Sequence, residues 1–151
     1  MNYRIEEKPT FDVLAMTKTF NESTSQQEIP TFWKNFHADG HGAVVSGWFG
    51  ICHDFTPPEF KYSIADPYKP GAEIPPGFEK ITIPPLTWAV FPCVGPMPTA
   101  IQTAWGKIFT EWLPTAEYEM LPDYNIEYYS GPNTQDADYE SEIWIPVRKK
   151  G

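Results

Sequence analysis

Hydrophobic positions along this chain switch between two periods, and the switches mark its elements. In "TFDVLAMTKTFN" (10–21) apolar and polar residues alternate, which predicts a strand. "NESTSQQEIPTFWKNFHADG" (21–40) opens with Ser and Thr followed by Gln and Glu, the chemistry of a helix start. Ile29, Phe32, Trp33 and Phe36 then fall at i, i+3, i+4 and i+7, one face of a helix that Gly40 ends. Two strands follow, "GWFGICHDF" and "EFKYSIADPY", and then the loop "KPGAEIPPG".

The order then starts again. "FEKITIPPLTWAVFPCVG" reads as two strand pieces broken at Pro84-Pro85. "MPTAIQTAWGKIFTEWLP" is a second helix, with Ile101, Ala104, Trp105, Ile108, Phe109 and Trp112 as its apolar stripe and Pro114 as its stop. Strands "NIEYYSG" and "SEIWIPV" close the chain around the polar loop "PNTQDAD". Moving the first half along by 72 residues (101 minus 29) lays Ile29 and Trp33 on Ile101 and Trp105, and Leu14 on Leu86. The reading is one domain over residues 1–151, of α+β class, with pseudo-repeats over about 1–70 and 76–151. Each repeat is strand, helix, strand, strand. Two such units are expected to form one antiparallel sheet with both helices on one face, leaving the other face for a ligand groove.

Composition narrows what such a fold does. The chain of 151 residues carries six Trp, eight Tyr and ten Phe, enough for an aromatic-lined pocket as well as a core. A formal net charge of −9 repels phosphate backbones and attracts cations, so direct nucleic-acid binding is not expected. Two cysteines, Cys52 and Cys93, make no disulfide framework, and neither a leader nor a membrane-spanning run is legible; a cytoplasmic protein is expected. His37, His41, Cys52 and His53 could suggest zinc, but Gly40 breaks the helix between the first two, and Cys52 and His53 face opposite sides of a strand. The same geometry excludes a Cys–His nucleophile. No phosphate-binding, dinucleotide or serine-hydrolase motif occurs, and neither metal nor cofactor is expected.

The carboxylates in the last two strands carry the chemistry. In "YESEIWIPV", Ser141, Ile143, Ile145 and Val147 share one face; Glu140, Glu142, Trp144 and Pro146 share the other. In "NIEYY", Glu127 and Tyr129 share a face. Two strands each present Glu-x-aromatic, and both pairs are expected on the groove side, where rings and carboxylates would hold a cation. The plainer alternative is a solvated sheet face.

The segments "IPPLTWAVFPCVGP", "AIQTAWGKIFTEWLP", "IEYY" and "EIWIPV" resemble the GyrI-like, AraC-type effector-binding domain family. "EIPTFWKNF" with "WFGICHDF" and "FKYSIADPY" resembles its stand-alone and integron-associated members, and the match runs over nearly the whole chain. The resemblance implies a duplicated strand–helix–strand–strand fold. It implies a lipophilic, often cationic or planar aromatic ligand held in a groove by aromatic side chains and glutamates. The family's glutamates fall on Glu127 and Glu142; Tyr129 and Trp144 accompany them, and Trp48, Tyr62 and Trp88 are candidate walls. Trp33 and Trp105 are assigned to the core. Many relatives carry a helix-turn-helix in front; no such segment is read here, so a self-contained DNA-binding regulator is not expected. Two other functions accompany the resemblance. One is a hydrolase of electrophilic cyclopropane-containing compounds, with Glu142 or Glu127 activating water. The other is a protein-interaction module such as a topoisomerase inhibitor, which the scattered acidic charge disfavours. A homodimer is left open.

Overall fold

The computed structural model describes residues 1–151 and contains nine strands and two α-helices, an α+β fold. The strands are β1 (Arg4–Lys8), β2 (Phe11–Asn21), β3 (Phe49–Thr56), β4 (Glu59–Pro67), β5 (Glu79–Ile83), β6 (Leu86–Val94), β7 (Tyr118–Met120), β8 (Tyr124–Tyr129) and β9 (Glu140–Lys149). The helices are α1 (Ser25–Ala38) and α2 (Thr99–Lys107), the latter continued by a π-helical turn over Ile108–Trp112. The chain divides into two compact units, Thr10–Pro84 and Met1–Pro9 together with Pro85–Gly151.

In the first unit β2 lies between β4 and β5, β3 pairs with β4, and all pairings are antiparallel. Helix α1 lays Phe36, Ile29, Phe32 and Trp33 on Leu14, Phe20, Phe60, Tyr62 and Ile64, so the period-3.6 stripe packs as predicted. In the second unit β6 lies between β1 and β9, and β9 also pairs with β8 and β7, again antiparallel. Helix α2 and its π turn lay Ile101, Ile108 and Trp112 on Ala89, Phe91, Ile143, Ile145 and Val147.

Strand pairing and exposure add to the sequence reading. The two compact units meet along the chain at Pro9/Thr10 and at Pro84/Pro85, the latter because β5 pairs with β2 and so stays with the first unit. Strand β1 was not read; its "RIEEK" has too little apolar alternation to signal a strand, yet it pairs with β6. Phe109, placed in the α2 stripe, is 53% exposed. On the sheet face away from each helix, Val13, Ala15, Ile51 and Ser63 in one unit and Trp88, Val90 and Ile126 in the other have no exposed surface.

That face of the first unit buries a polar chain. His53 Nε2 and Ser63 Oγ lie 2.7 Å apart, Ser63 Oγ and Thr17 Oγ1 2.7 Å apart, and Thr17 donates to Glu79 at 2.9 Å. Asp54 sits 3.1 Å from His53 Nδ1. Burial holds the His53 pKa below its ordinary 6.5, against the opposing pull of the Asp54 hydrogen bond. The unfolded chain takes up a proton as pH falls through 6.5, and the folded chain resists it. This site's contribution to stability is therefore full above pH 6.5 and falls on acidification. The expected outcome is a lower Tm at about pH 5.5 than at about pH 7.5, with the difference reduced in His53→Gln; a scanning-calorimetry pH series on both proteins checks it.

Candidate functional site

Residues paired across an antiparallel ladder share a face. Glu127 of β8 pairs with Ile143, and Tyr129 with Ser141, so both lie on the face that α2 covers. Ile126 pairs with Trp144, and Tyr128 with Glu142, which places those four on the opposite face. The expectation that Glu127, Tyr129, Glu142 and Trp144 share one surface is thus corrected. Both strands carry Glu-x-aromatic, but the register offsets the two patterns by one residue, and one residue of offset changes the face.

On the helix face, Glu127 is half-buried. Trp105 of α2 donates its indole N–H to Oε2 at 2.9 Å, and the Tyr129 hydroxyl donates to Oε1 at 2.5 Å. Trp105 is therefore more than the core residue expected; it is half-buried and ties the helix to the carboxylate. Phe109 stacks on the same indole, with ring centroids 5.8 Å apart and planes 19° apart. Glu127 forms none of the ion pairs in the structure. Its charge is met by two neutral donors, so the cluster is acidic, aromatic and uncompensated by any cation.

The opposite face is arranged differently. Glu142 accepts from the Trp144 indole N–H at 2.9 Å and from Arg4 Nη2 at 3.0 Å. Arg4 also bonds Glu6, and Lys8 reaches Glu6 at 2.9 Å while sitting 4.3 Å from the centroid of the Trp144 ring. Arg4 is held above its ordinary pKa chiefly by the Glu6 hydrogen bond, against burial, with Glu142 adding to it. Glu6 is held below its ordinary value by the Arg4 and Lys8 hydrogen bonds. Tyr128 stacks on Trp144 at 5.9 Å, and Trp88 meets it edge-on at 6.2 Å. Around Glu142 and Trp144 the neighbouring cations are the chain's own Arg4 and Lys8. Arg4, Glu6, Lys8 and Tyr128 were missed. Tyr128 follows from the register, and the other three from the unread strand β1.

Trp88 is fully buried with an unpartnered indole N–H, so it is no pocket wall on the surface. In the first unit, Tyr62 is 5% exposed and accepts the Trp33 indole N–H at 2.8 Å. Trp48 is 48% exposed. Its loop is fixed by Asp66, whose carboxylate accepts the backbone N–H groups of Ser46, Gly47 and Trp48 at 2.8, 2.9 and 3.0 Å. Gly47 has φ +91°, and a Cβ there would stand 2.7 Å from the Trp33 ring, so only glycine fits. A cavity of about 440 Å³ lies along the other flank of α2, lined by Cys93, Thr99, Thr103 and Lys107 among others. It has no carboxylate, and burial pushes its thiol, Cys93, up to about 11.

The family model for Cass2, the integron-associated effector-binding proteins, matches residues 4–147. The chain belongs to this family. Small-molecule effector binding is therefore its function class, as the GyrI-like resemblance implied. The transcriptional regulator BrlR of Pseudomonas aeruginosa is 28% identical over 157 aligned positions, covering 97% of this chain and 56% of BrlR. The chain thus spans about half the length of that relative. Among solved structures, SAV2435 bound to tetraphenylphosphonium superposes with a TM-score of 0.87 at 23% identity, covering 98% of this chain and 94% of SAV2435. The integron cassette protein VCH_CASS2 of Vibrio cholerae gives 0.74 at 16% identity, covering 97% and 95%. At these identities the likeness is one of fold. No helix is long and apolar enough to cross a membrane.

Trp105→Phe keeps the ring and removes the donor to Glu127. Urea unfolding is expected to show a loss of about 1 kcal/mol, the usual worth of one such bond at a half-exposed carboxylate.

Proposed function

We propose that this protein binds a lipophilic organic cation at Glu127, against the rings of Trp105 and Tyr129, and serves as an effector sensor or a drug-sequestering protein. The observation that carries this reading is a half-buried carboxylate held only by neutral aromatic donors. A cation beside a half-buried carboxylate gains more than it would in open water. A cation with its charge spread over apolar groups loses little hydration on entering, and the adjacent ring faces add cation–π attraction. Glu142 is the weaker anchor, since Arg4 and Lys8 already answer the charge around it. That SAV2435 was solved with tetraphenylphosphonium makes this ion the natural probe.

The test is isothermal titration with tetraphenylphosphonium on wild type, Glu127→Gln and Glu142→Gln. Glu127→Gln is isosteric and is expected to weaken binding about tenfold or more, equivalent to about 1.4 kcal/mol. Glu142→Gln is expected to stay within about twofold, because its partner cations are internal. Equal affinity of wild type and Glu127→Gln would overturn the reading. The Tyr129 hydroxyl on Glu127 is also a layout that can poise a carboxylate to activate water. Incubation with a neutral cyclopropane electrophile, followed by mass spectrometry, separates that second reading. Product formed by wild type, with Glu127→Gln binding the compound but forming none, would make the protein a hydrolase.

A further inference from the structure

We propose that Phe109 is a specificity-determining residue of the Glu127 site, selecting cations that carry aryl groups over alkyl cations of equal charge. This inference rests on the reading that Glu127 holds the cation. Successive residues of an α-helix are turned by about 100°. Ile108 points into the core, Trp105 lies on one flank, and Phe109 lies further out on that flank. The cavity lined by Thr99, Thr103 and Lys107 lies on the opposite flank. Phe109 therefore stands on the Glu127 side of the helix.

Two constraints fix how it is presented. Trp105 is oriented by its N–H bond to Glu127, and Phe109 lies nearly parallel to that indole. The two rings thus form one aromatic surface that runs from the carboxylate outward to solvent. The helix beneath Phe109 also departs from α geometry. The Leu113 N–H reaches the Ile108 carbonyl at 2.8 Å, closing a π turn, and Thr110 Oγ1 bonds back to the Gly106 carbonyl at 2.8 Å. Single π turns concentrate at functional positions. An exposed Phe on an otherwise amphipathic helix leaves apolar surface in water. The occupant that fits has a positive charge for Glu127 and flat rings for the Trp105–Phe109 surface.

The experiment compares tetraphenylphosphonium with tetrabutylphosphonium, equal in charge but different in ring content. Both are titrated against wild type, Phe109→Ala, Phe109→Tyr and Glu127→Gln. Phe109 is exposed, so its truncation leaves the core intact, and circular dichroism melts check this. Phe109→Ala is expected to lower the aryl-to-alkyl affinity ratio by roughly two- to fivefold, the lower end of the worth of one aromatic–aromatic contact, which only the aryl cation makes. Phe109→Tyr restores the ratio, and Glu127→Gln weakens both ligands together. An unchanged ratio in Phe109→Ala, with both ligands lost in Glu127→Gln, overturns the role of Phe109 and leaves the Glu127 reading standing. Equal weakening of both ligands in Phe109→Ala overturns the aryl selectivity. Two unaffected affinities in Glu127→Gln overturn the Glu127 reading, and this inference with it.

Discussion

The register between β8 and β9 is the constraint from which the chemistry of this protein follows. Ladder partners share a face, so the pairing of Glu127 with Ile143 and of Tyr128 with Glu142 sends the two glutamates to opposite sides of the sheet. A slip of one residue would reverse that assignment. Because β6 and β7 also pair with β9, such a slip would move β8 and turn the fully buried Ile126 to the other face. Burial of Ile126, worth about 0.8 kcal/mol per methylene, helps hold Glu127 where α2 can reach it.

Separated in this way, the two carboxylates do different work. Glu142 lies among Arg4, Glu6, Lys8, Trp144 and Tyr128, a mixed cluster whose charges answer one another within the chain. Exposed pairs of this kind add little stability each, but Arg4 on Glu142 and Lys8 on Trp144 link β1 to β9 across the intervening β6. Glu127 has only an indole N–H and a phenol. Neutral donors orient a carboxylate without cancelling its charge. Structural duty thus sits on one face, and the uncompensated charge on the other.

What the sequence disclosed tracks the physics that a single strand or helix carries by itself. The 3.6-residue stripe of Ile29, Phe32, Trp33 and Phe36 and the period-two alternation of "SEIWIPV" both survive in the structure, because each reflects one element meeting one core. The pairing of Glu127 with Glu142 did not survive, since register depends on two segments at once. Strand β1 was hidden for a related reason: "RIEEK" becomes a strand through its ladder to β6 and its side-chain pairs, not through its own propensity. Phe109 looked like core because helical spacing tells which residues share a side, not how far round that side the sheet reaches.

The internal repeat sharpens the case for Glu127. Trp33 and Trp105 correspond across the repeat, and both donate an indole N–H to a side chain of their own unit's sheet. Trp33 meets the neutral hydroxyl of Tyr62, 5% exposed, whereas Trp105 meets the half-buried carboxylate of Glu127. Duplication explains why a tryptophan projects from each helix to a polar group on its sheet; that much is scaffold. It does not explain a charge in one copy, because desolvating a carboxylate costs more than desolvating a phenol, and the neutral version anchors a helix equally well. At corresponding positions one helix tryptophan thus meets a neutral acceptor and the other a carboxylate, a difference that anchoring the helix does not by itself require.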